Sequence, residues 1–132
     1  MSARRLRRRR RPICRTQPSS HVSRCPLAGR LAFAALTGDY NGIHLWDAYA
    51  RRFGFPAAFL HPQRVAALCM ARLAAAGLVQ PAAEVQTLDL WLKGPVFYGA
   101  AAVLRAIRAE NSVCFGIALA GEKRTAIAGV WR

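Results

Sequence analysis

No apolar run in the sequence approaches the roughly 20 residues that a bilayer-spanning helix needs, because arginine, proline or acidic residues interrupt every candidate stretch. A soluble chain is expected. The four cysteines, Cys14, Cys25, Cys69 and Cys114, show no CxxC pair, no repeated spacing and no preceding apolar signal segment. Their pattern argues against a secreted disulfide scaffold and makes a reducing, cytoplasmic setting the default. Cys14, His21 and Cys25 lack the paired spacing of zinc modules, so no metal is assigned. No Gly-rich phosphate loop, no Ser/His/Asp triad order and no internal repeat is visible.

Lysine is nearly absent, at Lys93 and Lys123 only, and six acidic residues face twenty basic ones, for a formal charge of +14 in 132 residues. The imbalance is concentrated in one place. Residues 1–30 hold ten arginines and no acid, whereas 31–132 hold ten basic and six acidic residues. The leader is rich in Arg, Pro and Ser, lacks periodicity and is expected to be a disordered tail. Its run Arg4, Arg5, Leu6, Arg7, Arg8, Arg9, Arg10, Arg11 could bind phosphate backbones without specificity, on RNA, DNA or acidic lipid alike. An Arg-rich, acid-free, Ser-containing leader also fits organelle targeting. A third reading is a bland solvated extension, including an upstream start assignment in a high-GC coding sequence, and the scarcity of Lys favours it.

From Leu31 the pattern is that of one packed domain, 31–132, and the chain's half-apolar composition excludes a wholly disordered protein. Leu31–Leu36 is a short apolar segment, followed by the turn-rich Thr37-Gly38-Asp39-Tyr40-Asn41-Gly42. Trp46–Phe53 predicts a short helix in which Trp46, Tyr49, Ala50 and Phe53 share a face and Gly54 ends it. A longer helix is expected over His61–Ala76, with Val65, Leu68, Cys69, Leu73 and Ala76 at helical spacing, Pro62 in the first turn and Gly77 at its end. The period then changes to two. Leu88, Leu90 and Leu92, then Val103 and Ile107, then Val113, Phe115, Ile117 and Leu119, then Thr125–Trp131 predict four strands. Short connections at Gly94-Pro95, Ala109-Glu110-Asn111 and Ala120-Gly121-Glu122 favour antiparallel neighbours. The expected class is α+β, an antiparallel sheet wrapped around one long helix.

Only Thr37-Gly38-Asp39-Tyr40-Asn41-Gly42-Ile43-His44 concentrates titratable groups with helping residues. A carboxylate and an imidazole five positions apart, on a Gly/Asn loop, can turn toward one water: the imidazole takes or gives a proton near neutrality, and the carboxylate orients the water or takes its proton. The competing structural reading makes Asp39 and Asn41 turn residues that bond their own backbone, and His44 a satisfied core histidine.

The stretch Phe33–His44 resembles the hydratase motif of the MaoC-like dehydratases and (R)-specific enoyl-CoA hydratases, Ser/Thr-Gly-Asp-x-Asn-Pro-Ile/Leu-His. Ala50-Arg51-Arg52-Phe53-Gly54-Phe55-Pro56 and Trp91-Leu92-Lys93-Gly94-Pro95-Val96-Phe97 are similar to flanking family segments. The resemblance spans 31–132 and implies a hotdog fold, a homodimer or a hotdog partner subunit, and an acyl-CoA or related acyl thioester as substrate. It implies reversible addition of water across a 2,3 double bond, with Asp39 and His44 catalytic, Asn41 and Gly38 supporting, and no metal or redox cofactor beyond the coenzyme A thioester itself.

Two departures accompany the resemblance. Where the family has His-Gly at the start of the central helix this chain has His61-Pro62, and proline offers no N–H to a thioester oxygen. His61 or the Gln63 amide would then be the substrate-binding group. Gly42 replaces the usual Pro, and the Arg-rich leader stands where the first strand belongs, so the alternative is a degenerate subunit that binds thioesters or a partner chain without turnover. Trp91, Trp131, Phe97, Phe115 and Tyr98 are expected in the core or a dimer face. Arg51, Arg52, Arg64 and Lys93 read as solvated charges, one or two of them available to coenzyme A phosphates.

Overall fold

A computed structural model describes residues 19–80 and 86–132. Nine elements follow in order: β1 (Ser19–Arg24), α1 (Arg30–Thr37), α2 (Gly42–Leu45), α3 (Asp47–Arg52), α4 (Pro62–Ala75), β2 (Leu88–Leu92), β3 (Ala101–Ala109), β4 (Ser112–Leu119) and β5 (Ile127–Trp131). The strands form one antiparallel sheet in the order β1-β3-β4-β5-β2.

The long helix forms where the spacing predicts it. Pro62 sits in its first turn, where the missing N–H costs nothing, and Gly77 adopts the left-handed φ of 65° just past its end. Val65, Ala66, Cys69 and Leu73 are its buried residues, and Val65, Cys69 and Leu73 share one core with Leu104, Phe115, Ile117 and Ile127 of the sheet. Leu68 and Ala76, expected on that face, are exposed, because the stripe that meets a concave sheet is narrower than the apolar pattern. Inward-facing strand residues alternate as period two requires: Ala102, Leu104 and Ala106 on β3 lie across from Leu119, Ile117 and Phe115 on β4. Gly129 lies opposite Phe115, and a Cβ there would overlap the Phe115 ring, so this glycine makes room for the largest side chain in the sheet core.

Several expectations need correction. Ser19–Arg24, expected to belong to a disordered tail, is edge strand β1, paired with β3 from Ser19↔Ala106 to Arg24↔Ala101. An edge strand needs few apolar residues of its own, which is why composition hid it; residues 1–18, including the arginine run and Cys14, lie outside the described residues. Gly94-Pro95 does not join neighbours either. The amides of Lys93 and Gly94 bond Ala126, holding β2 against β5, and the chain then crosses under the sheet, where Phe97 bridges Phe59 and the Leu60 amide donates to Val96. Leu31–Leu36 lies within a helix, α1, capped by Gly38 at φ 73°.

Trp46, Tyr49 and Phe53 are exposed while Ala50 is fully buried, so the face they share points outward and Tyr49 stacks on Phe53. Trp91 is also exposed, whereas Phe115 is core and Trp131, Phe97 and Tyr98 are half-buried. Cys25 and Cys69 are buried thiols, and burial pushes Cys69 up to about 12. Cys114 is disulfide-bonded, against the expectation that the cysteine pattern builds no disulfide scaffold. No helix among the described residues is long and apolar enough to cross a membrane.

Candidate active site

Thr37–His44 leaves the end of α1 and enters α2, and the local chemistry explains its path. Gly38 takes the left-handed conformation that ends α1 and donates its N–H to the Ala34 carbonyl at 2.8 Å. The Thr37 hydroxyl donates to the Phe33 carbonyl (2.9 Å) and accepts from the Asp39 amide (3.4 Å). Asp39 Oδ1 accepts from the Asn41 amide (3.1 Å), and Asn41 Oδ1 accepts from the Ile43 amide (3.2 Å), an N-cap for α2. The reading of Asp39 and Asn41 as turn residues is therefore true of one Asp39 carboxylate oxygen and of the Asn41 amide oxygen. Asp39 keeps its second carboxylate oxygen for other work, and the residue is half-buried.

His44 is 5% exposed, and its Nδ1–H donates to the Phe59 carbonyl at 2.9 Å. A carbonyl only accepts, so Nδ1 carries the proton and Nε2 presents a lone pair, the form a general base needs. Burial pulls the His44 pKa below its ordinary value; the Phe59 bond opposes that, the neighbouring His61 adds to it and the Asp39 carboxylate opposes it. Its ring meets Phe59 edge-on at 4.8 Å. Phe59 is itself placed by its amide to the Ile43 carbonyl and by Asp47, whose Oδ1 accepts from the Ala58 amide (3.0 Å) and from Arg30 (3.2 Å). Those hydrogen bonds hold the Asp47 carboxyl below its usual range.

His61 is 0% exposed, and its Nε2–H donates to the Asp39 carbonyl at 3.0 Å. That nitrogen is bonded to the loop, and the buried Nδ1 has no partner among the described residues. Gln63 is exposed in the first turn of α4; the Arg64 and Val65 amides turn back to the His61 carbonyl, and the Gln63 amide has no acceptor among the described residues. Gly42 is required here by a contact the motif does not show, since a Cβ would lie 2.7 Å from the Tyr49 ring. Arg51, Arg52 and Lys93 are solvent-exposed as expected, but Arg64 is half-buried, donating to the Ala28 carbonyl at 2.9 Å with its guanidinium over Phe33. Thr37, Phe59 and Asp47 were missed as positioning groups. Phe59 acts through a backbone carbonyl, which leaves no trace in side-chain chemistry, whereas Thr37 at the head of the motif was visible. No cluster of three metal-ligating side chains occurs among the described residues.

An antiparallel sheet wrapped around a long central helix defines the hotdog fold. The model of the MaoC like domain matches residues 7–127, and the chain belongs to that family. The solved (R)-hydratase from A. caviae involved in PHA biosynthesis is similar, with 26% identity and a TM-score of 0.67 over 87% of this chain and 91% of that one. HtdX of Mycobacterium tuberculosis shares the fold at 23% identity and a TM-score of 0.73, covering 85% of this chain and 46% of that one. The full-length peroxisomal multifunctional enzyme type 2 of Drosophila melanogaster shares it at 21% identity and a TM-score of 0.74, over 90% of this chain and 23% of that one. No curated protein sequence matches.

Proposed function

We propose that the protein adds water reversibly to a trans-2-enoyl-CoA, giving the (R)-3-hydroxyacyl-CoA, with Asp39 and His44 activating the water. The observation that carries this reading is the tautomer of His44: a buried imidazole whose Nδ1–H is spent on Phe59 offers its Nε2 lone pair beside the Asp39 loop. Water is a poor nucleophile, so the pair takes one of its protons as the oxygen bonds to C3, and returns a proton to C2 as the enolate collapses. Positioned general bases supply roughly 10²–10⁴ in rate. The negative charge that develops on the thioester oxygen falls to the Gln63 amide at the N-terminal end of α4, one position beyond the proline. The addition forms a C3–O and a C2–H bond at the expense of the C2=C3 π bond and one O–H bond of water, a balance that calls on no oxidant, reductant or metal. Edge strand β2, with Trp91 and Leu92 exposed, suits pairing with a second copy or with another hotdog subunit.

Pro62 favours one other reading, a subunit that binds acyl thioesters without turnover, because losing an oxyanion donor costs about 10²–10³ in rate. Incubation with trans-2-butenoyl-CoA, followed by chiral analysis of the product, separates the two. Formation of (R)-3-hydroxybutyryl-CoA supports the hydratase; saturable binding with no product supports the silent subunit, and formation of the (S) product rejects both.

A further inference from the structure

His61 stands at the start of α4, fully buried. Its backbone carbonyl accepts the Arg64 and Val65 amides at 2.9 and 3.1 Å, and Pro62 restricts the next turn of α4, a helix fixed in the core by Val65, Cys69 and Leu73. From that mount the ring meets the backbone of Asp39 and the ring of His44. Its Nε2–H reaches the Asp39 carbonyl, and its ring centroid lies 4.3 Å from that of His44, the two planes tilted by 30°. Phe33 closes over it with a centroid distance of 5.1 Å. Among the described residues, every other hydrogen bond of Thr37–Asn41 runs to a partner within four positions, so it sets only the local shape of the loop. The His61 bond spans 22 positions and sets where that shape sits.

We propose that His61 is a positioning residue for the hydration: its Nε2–H latches the Asp39 carbonyl to the buried start of α4 while its ring fixes the plane of His44, so that carboxylate and imidazole meet one water. The assignment rests on the hydratase reading but makes a separate structural claim. Reacting groups must be held to within a fraction of an ångström to keep the benefit of proximity, and a misplacement of about 1 Å costs on the order of a hundredfold.

Two variants divide the latch from simple packing. His61→Phe keeps an aromatic ring between His44 and Phe33 but has no donor, whereas His61→Gln carries an amide N–H at a reach close to that of Nε2. Turnover of trans-2-butenoyl-CoA should fall about 10- to 100-fold in kcat for His61→Phe, with KM within about twofold of wild type, and His61→Gln should recover most of the loss. Amide exchange at Asn41 and Ile43 should quicken in His61→Phe and stay near wild type in His61→Gln. Equal kcat in His61→Phe and wild type would overturn the latch and leave the hydratase reading standing. Absence of wild-type turnover would remove the hydratase reading, and unchanged exchange in His61→Phe would then remove the latch as well.

Discussion

The loop Thr37–His44 and the interface between α4 and the sheet are built by opposite means. The loop is shaped by short, directed hydrogen bonds: Thr37 to Phe33, Asp39 to Asn41, Asn41 to Ile43, His44 to Phe59 and His61 to Asp39. The core is a set of undirected apolar contacts among Val65, Cys69, Leu73, Leu104, Phe115, Ile117 and Ile127. Directed bonds place atoms but contribute only about 1 kcal/mol each, while burial contributes about 25 cal/mol per Å² of apolar area whatever the exact geometry. Damage to the loop should therefore appear as lost activity in a stable protein, and damage to the core as lost stability in an active one.

The sharpest test of that division is at the two catalytic side chains. Asp39→Asn and His44→Ala should each lower kcat/KM for enoyl hydration by about 10²–10⁴, with the Asp39→Asn melting temperature near that of wild type. Leu73→Ala should show the reverse, losing about 2–5 kcal/mol in denaturant unfolding while the folded fraction keeps turnover within about threefold. Gly42→Pro, which restores the usual family residue, should destabilise by about 1–3 kcal/mol because its ring carbons drive into Tyr49. The double variant with Tyr49→Ala should recover most of that, and failure of the rescue would show that Tyr49 is not the reason glycine stands here. Thr37→Val removes one bond given and one accepted, and should cost kcat about three- to tenfold with little change in unfolding.

A smaller, pH-dependent effect follows from His44. Its pKa in the folded protein lies below the unfolded value near 6.5, so as pH falls through that value the unfolded chain takes up a proton that the folded one resists. Stability should decline as pH falls below about 7 and level off below the folded pKa. His44→Asn, which retains a donor for the Phe59 carbonyl without a titratable group, should flatten the decline; an identical pH dependence in wild type and variant would contradict the assigned environment.

The α4 helix and strands β2 to β5 were readable because burial imposes a period, as Val65, Cys69 and Leu73 and the alternation around Phe115 show. Ser19–Arg24 was not, since an edge strand stabilised by pairing with β3 need not be apolar. The path from β2 to β3 was misread for a related reason: a short Gly-Pro connection looks the same whether it turns back beside its strand or dives beneath the sheet. Asp39 and His44 stood out by chemistry and by the resemblance of their motif. The task of His61 did not, because a histidine that binds substrate and one that pins a loop are the same letter until the Asp39 carbonyl is found at its Nε2. The spacing of Trp46, Tyr49, Ala50 and Phe53 predicts a shared face but not which way it points, and the three aromatic rings are exposed while Ala50 is buried.

The central claim is that Asp39 and His44 act on one water at an enoyl thioester. It is tested most directly by following the conjugated thioester absorbance of trans-2-butenoyl-CoA with purified wild-type protein and with folded Asp39→Asn at the same concentration. Steady loss of absorbance with wild type, reduced by at least about a hundredfold in the variant, is the predicted result. Equal rates in the two proteins, or no loss with a folded wild type, would contradict it.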